Sequence, residues 1–144
     1  MWLKFISLAI FGIAMAHLEG VVVVYLCKAL DFNEDGSNIN FLQKFPKKYL
    51  LIERTREAAT IIMLVVLAIL VGNGLLDMII LFLWTFAFWD LFYYVSLYVL
   101  IKWPNSLKTI DVLFLIPKPW IAPVWVPISI SSITILSISL YMLF

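Results

Sequence analysis

The chain has 144 residues, of which 65% are hydrophobic and only 13% are charged, whereas about a quarter of the residues in a soluble domain are charged. This composition excludes an ordinary soluble domain and predicts an integral membrane protein. The net charge of +1 gives no indication of a nucleic-acid partner, and the single cysteine, Cys27, excludes an internal disulfide and a CxxC redox or zinc site.

Four apolar stretches are long enough to cross a bilayer, which takes about 20 residues of helix for roughly 30 Å of hydrocarbon. Backbone amides in lipid must be satisfied within the chain, so these stretches are predicted to be helices. The sequence therefore predicts an all-α bundle of four transmembrane helices in a single membrane domain, residues 1–144. The predicted helices cover about 4–27, 50–71, 75–101 and 121–144.

The first stretch imitates a secretory signal, with Lys4, an apolar run and Ala14-Met15-Ala16 as a possible cleavage site. Hydrophobicity resumes at Val21–Val24, which completes a full-length span. We expect an uncleaved first helix.

The connections between the stretches differ. Gly72-Asn73-Gly74 predicts a tight turn between antiparallel second and third helices. The segment Val112–Ile116 is apolar, too short to span and bounded by prolines, which predicts an interfacial or re-entrant segment before helix four. The start of helix four should be kinked or non-helical because prolines recur there, at Pro119, Pro123 and Pro127.

The basic residues predict the orientation, because cytoplasmic loops are enriched in Lys and Arg. All of them except Lys4 flank the spans on the side that holds the 28–49 and 102–120 connections. We expect a cell-membrane protein with both large loops in the cytoplasm and both termini outside. Lys44, Lys47 and Lys48 could also contact anionic lipid.

Four carboxylates, those of Glu19, Glu53, Glu57 and Asp90, lie inside stretches that are otherwise almost entirely apolar. A charge at the centre of a bilayer costs roughly 2.5–3.5 kcal/mol or more. With a rise of about 1.5 Å per residue, three predicted helices bring a carboxylate to a similar level beneath the cytoplasmic face. Tyr94 lies on the same face of helix three as Asp90, and Arg56 lies on the same face of helix two as Glu53 and Glu57. Asp111, in the connection before helix four, could cap the group from the cytoplasmic side. The predicted polar cluster consists of Glu19, Glu53, Arg56, Glu57, Asp90, Tyr94 and Asp111.

Helix one has a seam of small residues at Gly12, Ala16 and Gly20, along which another helix can approach closely. Glu19 borders this seam and should face the bundle. His17 lies about 160° away on the same helix, so it should not share a ligand with Glu19 unless the helix is irregular.

The carboxylates of the cluster outnumber Arg54 and Arg56, so some of them must be protonated or meet a cation. Three interpretations remain open: a structural network of ion pairs, a metal or substrate site, and a proton or quinone site. The candidate divalent-metal ligands are Glu19, Glu57, Asp90 and His17.

The loop segment from Asp31 to Gly36 resembles the first half of an EF-hand calcium loop, with Asp31, Asn33 and Asp35 as the candidate ligands. The twelfth position of that pattern is Leu42 where the family has a bidentate Glu. A solvated turn explains the same residues.

The chain contains no P-loop, HExxH, GxSxG or dinucleotide-binding motif. Small size and the missing catalytic motif favour an accessory or assembly-stabilising subunit of a larger membrane complex, with other membrane subunits or further copies of the chain as partners. Phe82, Trp84, Phe88 or Phe92 would then face lipid and a partner chain. The alternatives are a small intramembrane metal-dependent enzyme or metal-binding protein, and a proton or quinone site.

Overall fold

The structure is a computed structural model that describes residues 2–29, 47–116 and 118–144. The calcium-loop candidates Asp31, Asn33 and Asp35 lie outside the described residues, as does Lys44. The described residues form four α-helices and a two-stranded sheet. In chain order these are α1 (Trp2–Ala29), α2 (Lys47–Val71), α3 (Leu75–Ile101), β1 (Ile110–Phe114), β2 (Trp120–Pro123) and α4 (Trp125–Leu143).

Three of the described helices, α1, α3 and α4, are long and apolar enough to cross a membrane. The helix α2 has the length but carries charged residues throughout its first half, among them Glu53, Arg56 and Glu57. Its uncharged part, residues 58–71, extends only about 21 Å at 1.5 Å per residue, which is less than the thickness of the hydrocarbon. The chain is thus a helical protein suited to a membrane, with α2 the exception among its long helices.

The short connection between α2 and α3 is confirmed: α2 ends at Val71 and α3 begins at Leu75. Gly74 has a φ of 153°, a conformation that side chains with a Cβ rarely adopt. The carboxylate of Asp77 accepts the Asn73 N–H at 2.9 Å and pairs with Lys4 Nζ at 2.6 Å. This end of α3 is thereby tied to the beginning of α1.

The predicted start of helix four at residue 121 is wrong, because α4 begins at Trp125. Residues 120–123 instead form β2, which pairs antiparallel with β1 and brings Asp111 opposite Ala122. The pairing shifts between Val112 and Phe114, which marks a bulge at this point. The expectation of a non-helical segment before helix four is confirmed, whereas the hairpin itself was not predicted.

The helix α3 is the centre of the bundle, packing against α1, α4 and α2. All four helices meet in an apolar core near the ends of α1 and α3 that carry Lys4 and Asp77. The core is formed by Phe5, Leu8, Ala68, Leu81, Trp84 and Ile138. This part of the bundle is closed by hydrocarbon side chains.

Trp84 faces this core, so the expectation that it faces lipid is wrong. Its side chain is 8% exposed, its ring meets Phe5 edge-to-face, and its Nε1–H donates to the Phe5 carbonyl at 2.8 Å. A buried indole needs such an acceptor. The bond therefore fixes the register of α1 on α3.

The small-residue seam of α1 packs against α3, as expected for a close helix contact. A Cβ added to Gly12 would lie 3.0 Å from the Thr85 carbonyl oxygen, and one added to Gly20 would lie 3.2 Å from Ser96 Cβ. Ala16 is fully buried between these positions. The seam brings the Glu19 region of α1 beside the second half of α3.

Candidate functional site

A cavity of about 160 Å³ lies at the other end of the bundle, between α1, α2, α3 and β1. All seven residues of the predicted polar cluster line it: Glu19, Glu53, Arg56, Glu57, Asp90, Tyr94 and Asp111. Residues from four separate elements thus share one chamber. The side chains that complete its wall include Trp89, Tyr93 and Phe114.

Arg56 connects the α1 and α2 walls of the cavity. Its guanidinium pairs with Glu19 of α1 through Nη1 and with Glu53 of α2 through Nη2, and its Nε donates to the same Glu53 oxygen at 3.1 Å. The Thr60 hydroxyl lies 3.0 Å from the second Glu19 oxygen and donates to it. Two carboxylates therefore share one guanidinium, and the bond from Thr60 fixes the position of Glu19.

Glu57 has a different environment, because it faces the hairpin. Its Oε2 accepts the backbone N–H of Leu115 at 2.8 Å, just beyond the end of β1. This bond brings the hairpin against α2. No salt bridge among the described residues includes Glu57, although Arg54 and Arg56 are close enough to act on it electrostatically.

Asp111 lines the cavity from the hairpin side. The side chain is 6% exposed and accepts the Tyr94 hydroxyl at 2.8 Å. Its other oxygen accepts the N–H of Val112, also at 2.8 Å. The ring of Phe114 stacks on Phe86 of α3, with centroids 6.0 Å apart, so β1 is held to α3 by both polar and aromatic contacts.

Asp90 accepts a hydrogen bond from α4: the Ser131 hydroxyl donates to the Asp90 Oδ2 atom at 2.8 Å. Ser131 is 3% exposed and does not itself line the cavity. The role of Ser131 was missed because α4 has many serines, and their spacing alone does not select the one that faces α3.

His17 is exposed on α1 and is not among the cavity-lining residues, which agrees with its predicted angular separation from Glu19. Among the described residues, no group of three or more His, Cys, Asp or Glu side chains is arranged to hold a metal ion. Glu19, Glu57 and Asp90 do line one cavity, but each is engaged by a different hydrogen-bond donor.

No protein-family model, curated protein or solved structure matches this chain. The residues of the cavity are therefore the basis for assigning a function.

The charge balance of the cavity is its main chemical property. Its described lining has five carboxyl groups and one guanidinium, and the guanidinium already serves Glu19 and Glu53. The carboxyl groups of Glu57 and Asp90 accept hydrogen bonds from uncharged donors, and neither forms a salt bridge within the described residues. Carboxyl groups that are removed from water are compensated by protons or by cations.

Proposed function

We propose that this chain is a multi-pass membrane protein that binds a small molecule carrying a primary ammonium group in the carboxylate-lined cavity. The observation that carries this proposal is the excess of carboxyl groups over guanidinium groups around a cavity of about 160 Å³. An ammonium group supplies three N–H donors and one positive charge. This group would complement Glu57 and Asp90, whose hydrogen bonds in the structure come from uncharged donors.

The size and the walls of the cavity support an organic ammonium. A cavity of about 150 Å³ in another protein accommodates a benzene molecule, so the space here suits a group of a few heavy atoms. Trp89, Tyr93 and Phe114 present aromatic rings to the lining. Aromatic faces within about 6 Å attract cations, by roughly 0.5–2 kcal/mol depending on desolvation.

The position of the cavity supports a binding pocket that reaches only one end of the helix bundle. The Phe5–Trp84 end of the bundle is closed by the apolar core, whereas the cavity lies beside β1 at the opposite end. This arrangement favours binding over a polar path through the whole bundle. The basic residues near this end favour the cytoplasmic face as its location.

The proposal also includes α2 as a fourth membrane-crossing helix. Arg56 pairs with Glu19 and Glu53, which lowers the cost of placing these charges below the headgroups. Glu57 would be compensated by the bound ammonium. The charged half of α2 would then be tolerated in the membrane, because its charged side chains face the cavity.

Titration of the purified full-length chain in dodecyl maltoside tests the proposal, with ethylamine as the ligand and ethanol and NaCl as neutral and ionic controls. We expect saturable calorimetric binding of ethylamine alone, weakened about tenfold or more, or roughly 1.4 kcal/mol, by Asp90→Asn. The matched control is Asp77→Asn, which removes a carboxylate at the far end of the same helix. Equal heats for ethylamine and NaCl, or equal losses in the two variants, would refute the proposal.

A second candidate is the stabilising subunit expected from the sequence. It is favoured by the fact that the carboxylates Glu19, Glu57, Asp90 and Asp111 have donors within the chain, as a purely structural network requires. Purification of the tagged chain from its own membranes tests this candidate. A partner at constant stoichiometry through two chromatographic steps would support it, and a monodisperse single chain would oppose it.

A further inference from the structure

His17 lies on the outer surface of α1, near the middle of the helix. At about 1.5 Å per residue it is roughly 20 Å from Lys4 and roughly 17 Å from Lys28 along the helix, so it lies in the hydrocarbon when α1 crosses a membrane. The side chain is exposed, and no hydrogen bond or ion pair within the described residues includes its imidazole. Ionisable side chains in membrane helices almost always face the protein interior or a water-filled cavity. The position of His17 therefore indicates a surface that another molecule covers.

The carboxylates at a similar depth differ from His17 in this respect. Glu19 on α1 and Asp90 on α3 both line the cavity, and each accepts a hydrogen bond from a hydroxyl group. His17 is not among the residues that line the cavity. The carboxylates thus have hydrogen-bond partners within the chain, whereas the imidazole has none among the described residues.

His17 belongs to a narrow line of side chains on the outer face of α1, which we call the α1 stripe. Its members follow one another at alternating intervals of four and three residues, and all of them are exposed: Leu3, Ser7, Ile10, Ala14 and His17. This is the spacing with which one helix packs along another at a small crossing angle. Ser7 and Ala14 are small enough to let a second backbone approach closely. The α1 stripe is separate from the seam of Gly12, Ala16 and Gly20, which packs against α3.

We propose that the α1 stripe is the contact surface between two copies of this chain, with the His17 imidazoles of both copies against each other. Copies of one chain insert into a membrane with the same topology, so their first helices run parallel. A two-fold axis along the membrane normal then places each residue of the stripe opposite its equivalent in the second copy. Ala14 lies between Ile10 and His17 in the stripe, so the backbones approach closely beside the imidazoles.

The imidazole ring suits this symmetric contact because it is self-complementary. A neutral imidazole has one N–H donor and one nitrogen acceptor, so one His17 can donate to the other. A carboxylate has only acceptors and an ammonium group has only donors, so neither could pair with its own equivalent in this way. Hydrogen bonds between helices stabilise helix pairs in membranes, and lipid tails offer no such partner. A second copy therefore supplies the group that His17 lacks.

This contact is independent of the ammonium binding proposed above. None of the five residues of the α1 stripe lines the cavity. The contact also differs from the association with a larger complex that was considered as a second candidate, because here the partner is the chain itself.

Cysteine cross-linking in liposomes of palmitoyl-oleoyl-phosphatidylcholine tests which face of α1 forms the contact. The full-length chain carries Cys27→Ala, which removes the only native thiol, together with Ala14→Cys in the α1 stripe. The matched control is Val22→Cys, because Val22 is 38% exposed on α1 but lies about 80° around the helix from Ala14 and about 140° from His17. With copper phenanthroline as the oxidant, we expect about fivefold or more cross-linked dimer from Ala14→Cys than from Val22→Cys.

Energy transfer between fluorescently labelled chains in the same liposomes tests the part played by His17. Measured over a range of protein-to-lipid ratios, it gives the dissociation constant of the dimer. We expect His17→Leu to raise this constant about fivefold or more, because leucine can pack in the stripe but forms no hydrogen bond. His17→Asn should keep most of the affinity, because a carboxamide both donates and accepts. The matched control, Val22→Ala, should stay within about twofold of the wild type.

Far-ultraviolet circular dichroism establishes that each variant is folded, which the exposed positions of Ala14, His17 and Val22 favour. A chain that stays monomeric at every protein-to-lipid ratio overturns the inference. Equal cross-linking from the two cysteines overturns it as well, and so does an unchanged dissociation constant in His17→Leu.

The same oxidation in the native membranes distinguishes the second copy from other occupants of the stripe. Cross-linking of Ala14→Cys to a second copy supports the inference. Cross-linking only to a different protein, or to nothing, overturns it. Because the stripe and the cavity share no residue, failure of ethylamine to bind would overturn the proposed function and leave this contact standing.

Discussion

Replacing Arg56 by glutamine should destabilise the fold more than any other single loss of a basic side chain within the described residues. The change removes the only guanidinium that lines the cavity and leaves Glu19 and Glu53 without their shared partner. Glu19 lies in α1, and Glu53 lies in α2 together with Arg56. The loss of Arg56 therefore acts on the contact that joins these two helices at the cavity.

The expected magnitude follows from burial. The side chains of Arg56, Glu19 and Glu53 are 28%, 16% and 13% exposed, which is between a surface pair and a fully buried one. Surface pairs contribute about 0–1 kcal/mol, and breaking a buried pair costs about 3–5 kcal/mol. We therefore expect Arg56→Gln to lower the free energy of unfolding by about 2–3 kcal/mol.

A double-mutant cycle isolates the interaction. Glu19→Gln in the Arg56→Gln background should cost less than in the wild type, with a coupling energy of about 1–2 kcal/mol. The assay is reversible unfolding in mixed micelles of dodecyl maltoside and dodecyl sulfate, followed by far-ultraviolet circular dichroism. Lys4→Gln is the matched control, because Lys4 has one salt-bridge partner among the described residues, Asp77, whose side chain is 29% exposed, and this pair should contribute at most about 1 kcal/mol.

Two results would contradict this stabilising role of Arg56. The first is a cost for Arg56→Gln no larger than that of Lys4→Gln. The second is a coupling energy near zero between Arg56 and Glu19, which would mean that the two side chains do not depend on each other.

Three further substitutions test the packing and the polar contacts by the same unfolding assay. Gly12→Ala should destabilise by about 1–3 kcal/mol, because the new Cβ would lie 3.0 Å from the Thr85 carbonyl oxygen; a neutral effect would mean that α1 and α3 are further apart. Ser131→Ala should cost about 1–2 kcal/mol by removing the donor to Asp90, and no cost would place α4 elsewhere. Trp84→Phe should cost about 1 kcal/mol for its lost bond to a backbone carbonyl, and a stabilised variant would contradict the buried position of Trp84.

The three apolar helices α1, α3 and α4 could be predicted because the length of a membrane-spanning helix follows from hydrocarbon thickness. The turn at Gly72–Gly74 was equally clear, since glycines permit conformations that interrupt a helix. The hairpin was not, because the apolar segments 112–116 and 120–123 suit lipid, a helix and a sheet equally. Their pairing depends on contacts distant in sequence, such as the bond between Tyr94 and Asp111.

The polar cluster could be predicted because the rise and rotation of a helix fix the depth and direction of each carboxylate. The hydrogen-bond partners were harder to predict. The helix α3 is apolar on every side, so its sequence does not show that Trp84 faces the core. The partner of Asp90 required the orientation of α4, which a helix rich in serine and isoleucine does not reveal.

The most direct test of the central claim is an experimental density map of the full-length chain prepared with and without ethylamine. We expect Glu19, Glu57, Asp90 and Asp111 to surround one chamber, with added density in it within hydrogen-bond distance of the Asp90 or Glu57 carboxylate. Carboxylates that point into lipid or lie apart from one another, or a chamber unchanged by a saturating amine, would contradict it.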